Sequence, residues 1–336
     1  MGPASRNFKI LKKMQQAGVS TVRLNFSHGS FQTHAQAAAL IKKINKTTQR
    51  KIKILQDLEG YRIRIGRLKR KHFVIKKDSY FYLVKGKKQK NSKEIPFDYQ
   101  GDLSLIKEGQ LVYIDDGRIE LRVEKVKGER LKVRVLRGEV IAERKGVNFP
   151  GASLEFDTWG EKDRKALEFG LSLDIDFVAQ SFVRDAADIL KIKDILAKTK
   201  HSPQVVAKIE NRSAVANIDE IIDAADMIMI ARGDMGVCLP VFMVPIIQKE
   251  IIAKCLRKKR PVIVATQMLE SMRQNPLPLR AEVSDVANAI LDGADLLMLS
   301  AETAVGKYPV ETVDMMRKII DFTRNSPYYK HYSKNR

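Results

Sequence analysis

The chain has little cysteine: two in 336 residues, Cys238 and Cys255. Their spacing fits neither a metal-binding nor a redox motif. It has no apolar run approaching the ~20 residues that a membrane span needs. Its first residues, MGPASRNFKI, contain no apolar core of a signal peptide. These absences predict a reduced, cytoplasmic protein with no membrane partner. Nucleic-acid-binding motifs are absent as well. So is a balance of charge, since 61 Lys and Arg face only 40 Asp and Glu, a net +21. Such an excess attracts anions, either phosphorylated metabolites or nucleic acid. About half of it falls between Tyr61 and Leu154, largely in RIRIGRLKRKHFVIKKD and KGKKQKNSK. It reads as a solvated basic face, and specific nucleic-acid recognition is not expected.

What is present is a recurring plan. From Gln204 to Pro240 a short apolar run ends in Lys208, Ile209 and Glu210. A helix-period segment follows, with Val215, Ile218, Ile221, Ile222 and Ala225 at spacings of three and four. A second apolar run, Met227–Ala231, then ends in Arg232, Gly233 and Asp234. This is one βαβ unit whose strands are apolar on both faces, as in a buried parallel sheet. Lys208, Glu210 and Asp234 are expected at the sheet's C-terminal mouth. Two carboxylates and a lysine there suit a divalent cation beside a phosphate or enolate.

The same plan predicts helices over 6–17, 31–46, 160–170 (ended by Gly170), 185–199, 241–258, 279–292 and 309–324. The strands are STVRLNF, KIKILQ, IDFVAQ, QVVAKI, DMIMIA, PVIVA and ADLLML. Each leads through polar residues into a helix, the pattern of a (β/α)8 TIM-type barrel, α/β in class, with its site at the strand ends. Seven strands are visible, and the eighth is expected upstream of residue 1. From Tyr61 the period changes to two, with turns at Asp116-Gly117 and Lys127-Gly128, so an all-β insertion is predicted. The division is thus 1–60 and 154–325 for the barrel, 61–153 for the insert and 326–336 for a frayed polar tail.

With these segments in view, the chain resembles the pyruvate kinase family over almost its whole length. The resemblance is carried by GPAS (2–5), VRLNFSHG (22–29), IDDGRIELRV (114–123), KGVNFPG (145–151), QSFVR (180–184), AKIEN (207–211), MIARGDMG (229–236), VIVATQMLESM (262–272), RAEVSDVANAILDG (280–293) and LSAETAVGKYP (299–309). It implies a barrel that binds phosphoenolpyruvate and Mg²⁺ (or Mn²⁺), a lid that closes over ADP, and pyruvate and ATP as products. It also implies a homo-oligomer built through the barrel.

By that matching Glu210 and Asp234 hold the divalent metal. Lys208 offsets charge on the phosphoryl group in flight. Arg23 and Arg64 clamp phosphate oxygens, Arg64 being chosen by the register of IRIG. Ser181 lies in the substrate pocket, and amides around Ala231, Arg232, Gly233 and Asp234 cradle the carboxylate. Thr266 lies near the carbon that receives a proton, on a path with Ser300 and Glu302. Lys145 reaches the nucleotide phosphates, while Pro3, Asn25 and His28 flank the nucleotide. Each has a plainer role open to it: Ser300 and Thr266 as strand-end caps, His28 as a turn residue, Lys145 as a surface lysine.

The departures are informative. Many family members bind K⁺ at positions matching Asn25, Ser27, Asp57 and Leu58, and carry a threonine and a glutamate where this chain has Leu58 and Arg62. The guanidinium of Arg62 is expected to supply that charge, with no K⁺ required. Leu279 replaces an N-capping threonine and Cys238 a glutamate. The resemblance does not extend to the family's C-terminal effector domain, so sugar-phosphate activation through it is not expected. The competing readings are a weakly active or inactive remnant, a basic RNA-associating protein on the same scaffold, and a Mg²⁺-enolate lyase, against which the lid segments speak.

Overall fold

The structure, a computed structural model, describes residues 1–115, 117–150, 152, 159–199 and 201–329. It divides into two compact units: Met1–Gly60, Trp159–Gly233 and Met243–Arg336 in the first, Tyr61–Thr158 and Asp234–Phe242 in the second.

The first unit opens with α1 (Phe8–Ala17), β1 (Thr21–Asn25), α2 (Phe31–Asn45) and β2 (Lys53–Asp57). Asn7 starts α1 by accepting the Lys9 and Ile10 amides, and Gly18, at φ 124°, ends it. Between β2 and the next barrel strand lie the strands of the second unit: β3 (His72–Val74), β4 (Tyr80–Lys85), β5 (Glu94–Phe97), β6 (Leu111–Ile114), β7 (Ile119–Lys127), β8 (Arg130–Arg137), β9 (Val140–Ala142) and β10 (Val147–Asn148). The barrel resumes with α3 (Glu161–Ser172), β11 (Phe177–Gln180), α4 (Ala186–Leu196), β12 (Gln204–Ile209), α5 (Arg212–Ala216), α6 (Ile218–Ala224) and β13 (Met227–Ala231), followed by α7 (Arg232–Cys238), whose residues from Asp234 on belong to the second unit. It continues through α8 (Val244–Arg257), β14 (Val262–Ala265), α9 (Arg280–Asp292), β15 (Leu296–Met298), α10 (Ala301–Ala304) and α11 (Pro309–Asn325).

Seven parallel strands pair in chain order, β1-β2-β11-β12-β13-β14-β15. This is the α/β TIM-type architecture. The central strands β11 to β14 are apolar runs buried along almost their whole length, while β15 is only half-buried. The reason is that β1 and β15 pair on one side only. Between them lies a cavity of about 820 Å³, reached by Leu55, Phe177, Met229 and Ile263 of the barrel core and by Leu296 and Met298. The opposite end of the sheet is pinned by a repeated device. Asp176, Asp226 and Asp295, each just before a strand, accept the amides of Ile54, Val205 and Val262 in the neighbouring strand, at 2.7, 2.8 and 2.9 Å.

Two local expectations are corrected. The segment between β12 and β13 is two helices, broken at Asn217, whose side chain turns to donate to the Arg184 carbonyl at 3.0 Å. Helix α3 runs past Gly170 to Ser172. Gly170 is not its end but a packing glycine, since a Cβ there would sit 2.1 Å from the Gln56 side chain. In the second unit β10-β6-β7-β8-β4-β5 form one sheet, closed on one face by a core that includes Phe81, Leu83, Leu121, Val123, Val133 and Val135. The β7–β8 hairpin turns at Gly128, φ 54°, as the Lys-Gly pair predicts. Asp116, the other predicted turn's first residue, and the tail beyond Tyr329 lie outside the described residues.

Candidate active site

At the C-terminal ends of β1, β2, β11 and β12 four charged side chains meet. Arg23 holds Asp57 at 2.5 Å. Lys208 lies 3.2 Å from the other Asp57 oxygen and 2.9 Å from Glu210. It also donates to the Ser181 hydroxyl at 2.7 Å, and Ser181 donates to the Leu58 carbonyl at 2.7 Å. Asp57, Ser181, Lys208 and Glu210 are all buried. A buried charge is tolerated only when paired, and here two cations face two carboxylates. Burial opposes the charge on Lys208, yet Asp57 and Glu210 outweigh it and hold the ammonium above its ordinary pKa. Burial likewise disfavours the Asp57 carboxylate, and Arg23 and Lys208 reverse that, so its pKa lies below the usual range.

The cluster is fixed by backbone in unusual conformations. Phe182, just past β11, has φ 56° and donates its amide to Glu210 at 2.8 Å. Thr266 and Gln267, just past β14, have φ 74° and 54°. Left-handed geometry at non-glycine residues is strained and concentrates at functional sites. Thr266 accepts the Gly233 amide at 2.9 Å, and its carbonyl accepts the Arg232 guanidinium at 2.6 Å. Arg232 is held in turn by Asp285 at 2.8 Å and Gln248 at 3.4 Å. Its side chain therefore positions the Thr266 turn.

Ser300 and Glu302 follow β15. Glu302 is fully buried and accepts the amides of Ser300 at 2.7 Å and Leu269 at 3.3 Å, which ties the loops after β14 and β15 together. The Ser300 hydroxyl is buried and has no partner among the described residues, so it does not cap α10. Asn25 accepts the Ser27 amide at 3.1 Å in a local turn, and the exposed His28 offers its carbonyl to His34 at 2.9 Å. Leu58 is buried and apolar, and Pro3 is exposed beside Ala4, whose amide joins the Ala304 carbonyl. The cavity between β1 and β15 reaches Arg23, Asn25, His28 and Ser300 but not Lys208, Glu210 or Thr266.

In the second unit Arg62 pairs with Asp234 at 3.2 Å. Gly146 makes room for it: a Cβ there would meet the guanidinium at 2.4 Å. Arg64 donates to the Arg144 carbonyl at 3.2 Å, and Lys145 pairs with Asp115 at 2.8 Å. No cluster of three or more His, Cys, Asp or Glu able to hold a metal occurs among the described residues.

A family model for the pyruvate kinase barrel domain matches residues 1–313. The chain belongs to the pyruvate kinase family. It is 42% identical to a pyruvate kinase of Thermococcus litoralis, over 96% of this chain and 68% of that protein. It is 44% identical to one of Agrobacterium vitis, over 98% of this chain and 69% of the relative. It is also 44% identical to the pyruvate kinase of Geobacillus stearothermophilus, over 95% of this chain and 55% of that protein.

Within this pyruvate kinase scaffold the structure brings Arg23, Asp57, Ser181, Lys208 and Glu210 into one network, and Thr266 with Arg232 and Gly233 into another. Sequence reasoning gave Asp57 only a monovalent-cation role, although it joins both basic side chains. It missed Phe182, Gln248 and Asp285 altogether. Only the run RAEVSDVANA pointed toward Asp285, and nothing in the sequence marks a left-handed phenylalanine.

Proposed function

We propose that the chain transfers the phosphoryl group of phosphoenolpyruvate to ADP, giving pyruvate and ATP. The observation that carries this reading is the Arg23–Asp57–Lys208–Glu210 network at the barrel strand ends, in which Asp57, Lys208 and Glu210 are buried. Phosphoryl transfer asks the protein for alignment and charge neutralisation more than for covalent chemistry. Lys208 is locked in its charged form and sits in a low-dielectric site, where its field on a phosphoryl or enolate oxygen is strong. Arg23 adds a second cation to the same site. Ser181 fixes the ammonium from one side.

Mg²⁺ (or Mn²⁺) is assigned to Glu210 and Asp234. The residues fit, since magnesium takes one or two protein carboxylates and completes its shell with water and substrate oxygens. Bound there, it would neutralise enolate and phosphoryl charge. Glu210 would then share its carboxylate with Lys208, and Asp234 would have to part from Arg62. The amides from Ala231 to Asp234 would cradle the substrate carboxylate. Gly233 already gives its amide to Thr266, so its part in that cradle requires Thr266 to yield. The Thr266 hydroxyl, with Ser300 and Glu302 behind it, would stand on the proton path to the enolate carbon. Arg64, Lys145, Pro3, Asn25 and His28 are assigned to ADP.

No K⁺ is required on this reading. Arg62 carries a permanent positive charge whether or not Asp234 stays paired to it, and Leu58 offers no polar side chain to a monovalent ion. Cytoplasmic localisation and a homo-oligomer through the barrel are part of the proposal. No helix among the described residues is long and apolar enough to cross a membrane. The test is ATP formed from phosphoenolpyruvate, ADP and Mg²⁺ with and without K⁺. A rate that collapses without K⁺ would overturn the role of Arg62.

A further inference from the structure

The second unit carries a sheet face that neither the reaction nor fold stability explains. The side chains of β4, β7 and β8 that point away from the core form three rows across the sheet. Arg122 lies opposite Arg134, which lies opposite Tyr80. Lys125 lies opposite Lys132, which lies opposite Tyr82. Lys127 lies opposite Arg130, which lies opposite Val84. Like charges placed directly opposite destabilise an antiparallel pair. Here three basic pairs stand in succession along one hairpin.

Acidic groups neutralise this face only in part. Asp78 pairs with Arg134, Glu94 with Arg130 and Glu120 with Arg137, and Glu124 is exposed on β7. Arg122, Lys125, Lys127 and Lys132 carry no ion pair among the described residues. The tyrosines are open to solvent, Tyr80 at 53% and Tyr82 at 36%. They are two residues apart on β4, so they share a face and stand about 6.6 Å apart along the strand. Lys132 already lies over the Tyr80 ring at 5.0 Å.

From this geometry we infer a binding face for single-stranded nucleic acid, with Tyr80 and Tyr82 as stacking platforms for two successive bases and Arg122, Lys125, Lys127 and Lys132 tracking the phosphates. Aromatic platforms beside a basic track are how sequence-tolerant single-strand binders work. A duplex would use the charges but leave both rings idle, because its bases are stacked on one another. A base-free polyanion would leave them idle too. The rings therefore separate this face from general attraction by a chain of net charge +21.

The test is fluorescence anisotropy with a labelled 12-nucleotide oligo(dT), an abasic strand of equal length and a 12-base-pair duplex, at several salt concentrations. The expected result is at least tenfold tighter binding of oligo(dT) than of the abasic strand, with the duplex no tighter than the abasic strand. Tyr80→Ala with Tyr82→Ala should remove that preference, since each stacked base accounts for roughly five- to hundredfold in affinity. Tyr80→Phe with Tyr82→Phe should keep it. Lys125→Gln with Lys132→Gln should weaken both strands alike and flatten the salt dependence. Equal affinity for oligo(dT) and the abasic strand, or a preference that survives the double alanine change, would reduce the face to plain electrostatics and overturn the inference. No binding at about 0.1 M salt would overturn it as well.

Discussion

The mouth of the barrel and the outer sheet face of the second unit use charge in opposite ways. At the mouth Arg23, Asp57, Lys208 and Glu210 alternate in sign, and all but the half-buried Arg23 are buried. On the sheet face basic residues oppose basic residues in open solvent. The first arrangement is strongly coupled, because removing one member leaves its partner unpaired in a low dielectric. The second is weakly coupled, because water screens each charge. The comparison predicts large effects at the mouth and small ones on the face.

The largest effect is expected for Lys208→Met. ATP formation should fall by at least a thousandfold, and the fold should lose roughly 3–5 kcal/mol, since Asp57 keeps Arg23 but the buried Glu210 loses the Lys208 ammonium. Urea unfolding of the variant checks the second part, and a loss under 1 kcal/mol would show that Lys208 carries no structural role.

Acid sharpens the same contrast. The folded pKa of Asp57 lies below the ordinary 3.8. Its stabilising contribution is therefore complete above that value and is lost as pH falls through the lowered one. Asp163 behaves in reverse. Burial raises its pKa, despite the amides of Gly60 and Gly160. Its contribution is present at low pH and is lost as pH rises through the raised value. Asp57→Asn should flatten the acid limb of a stability–pH curve, while Asp163→Asn should remove a decline at higher pH. Unchanged curves would contradict both assignments.

Next in size is Arg232→Lys. A lysine cannot reach Asp285 and the Thr266 carbonyl together. The turnover rate should drop about ten- to hundredfold, with a smaller change in the apparent KM for phosphoenolpyruvate. A change in KM alone would place Arg232 on the substrate instead. Leu279→Thr should stabilise by about 0.5–1 kcal/mol. Glu282 already accepts the Leu279 amide at 2.9 Å, and threonine would complete the capping box. The smallest effect is expected for Lys125→Glu, which turns a like-charge pair into an opposite one and should stabilise by a few tenths of a kcal/mol. A loss there would mean that the face is not simply solvated.

Much of this was legible in the sequence because it is periodic or strand-terminal. The apolar runs QVVAKI and DMIMIA become β12 and β13, with Lys208 near the end of the first, Glu210 just after it and Asp234 shortly after the second. The two-residue alternation beginning at Tyr61 marks the antiparallel sheet of the second unit. What escaped depends on distant partners. Gly170 looked like a helix stop, but its reason is Gln56, far away in the chain. Asn217 breaks a helix through the Arg184 carbonyl. Asp57 looked like one more strand-end carboxylate, and only the pairing of β2 beside β11, itself beside β12, brings it to Lys208. The left-handed turns at Phe182 and Thr266 have no glycine to announce them. They persist because Glu210, Gly233 and Arg232 bind their backbones or side chains.

The most direct test of the central claim is the rate of ATP formation from phosphoenolpyruvate and ADP with Mg²⁺, measured beside Lys208→Met in the same preparation. The account predicts turnover by the unmodified chain, with or without K⁺, and none above background in the variant. A folded chain that forms no ATP, or a variant that forms it as fast as the parent, would contradict the assignment of phosphoryl transfer to the charged network at the strand ends.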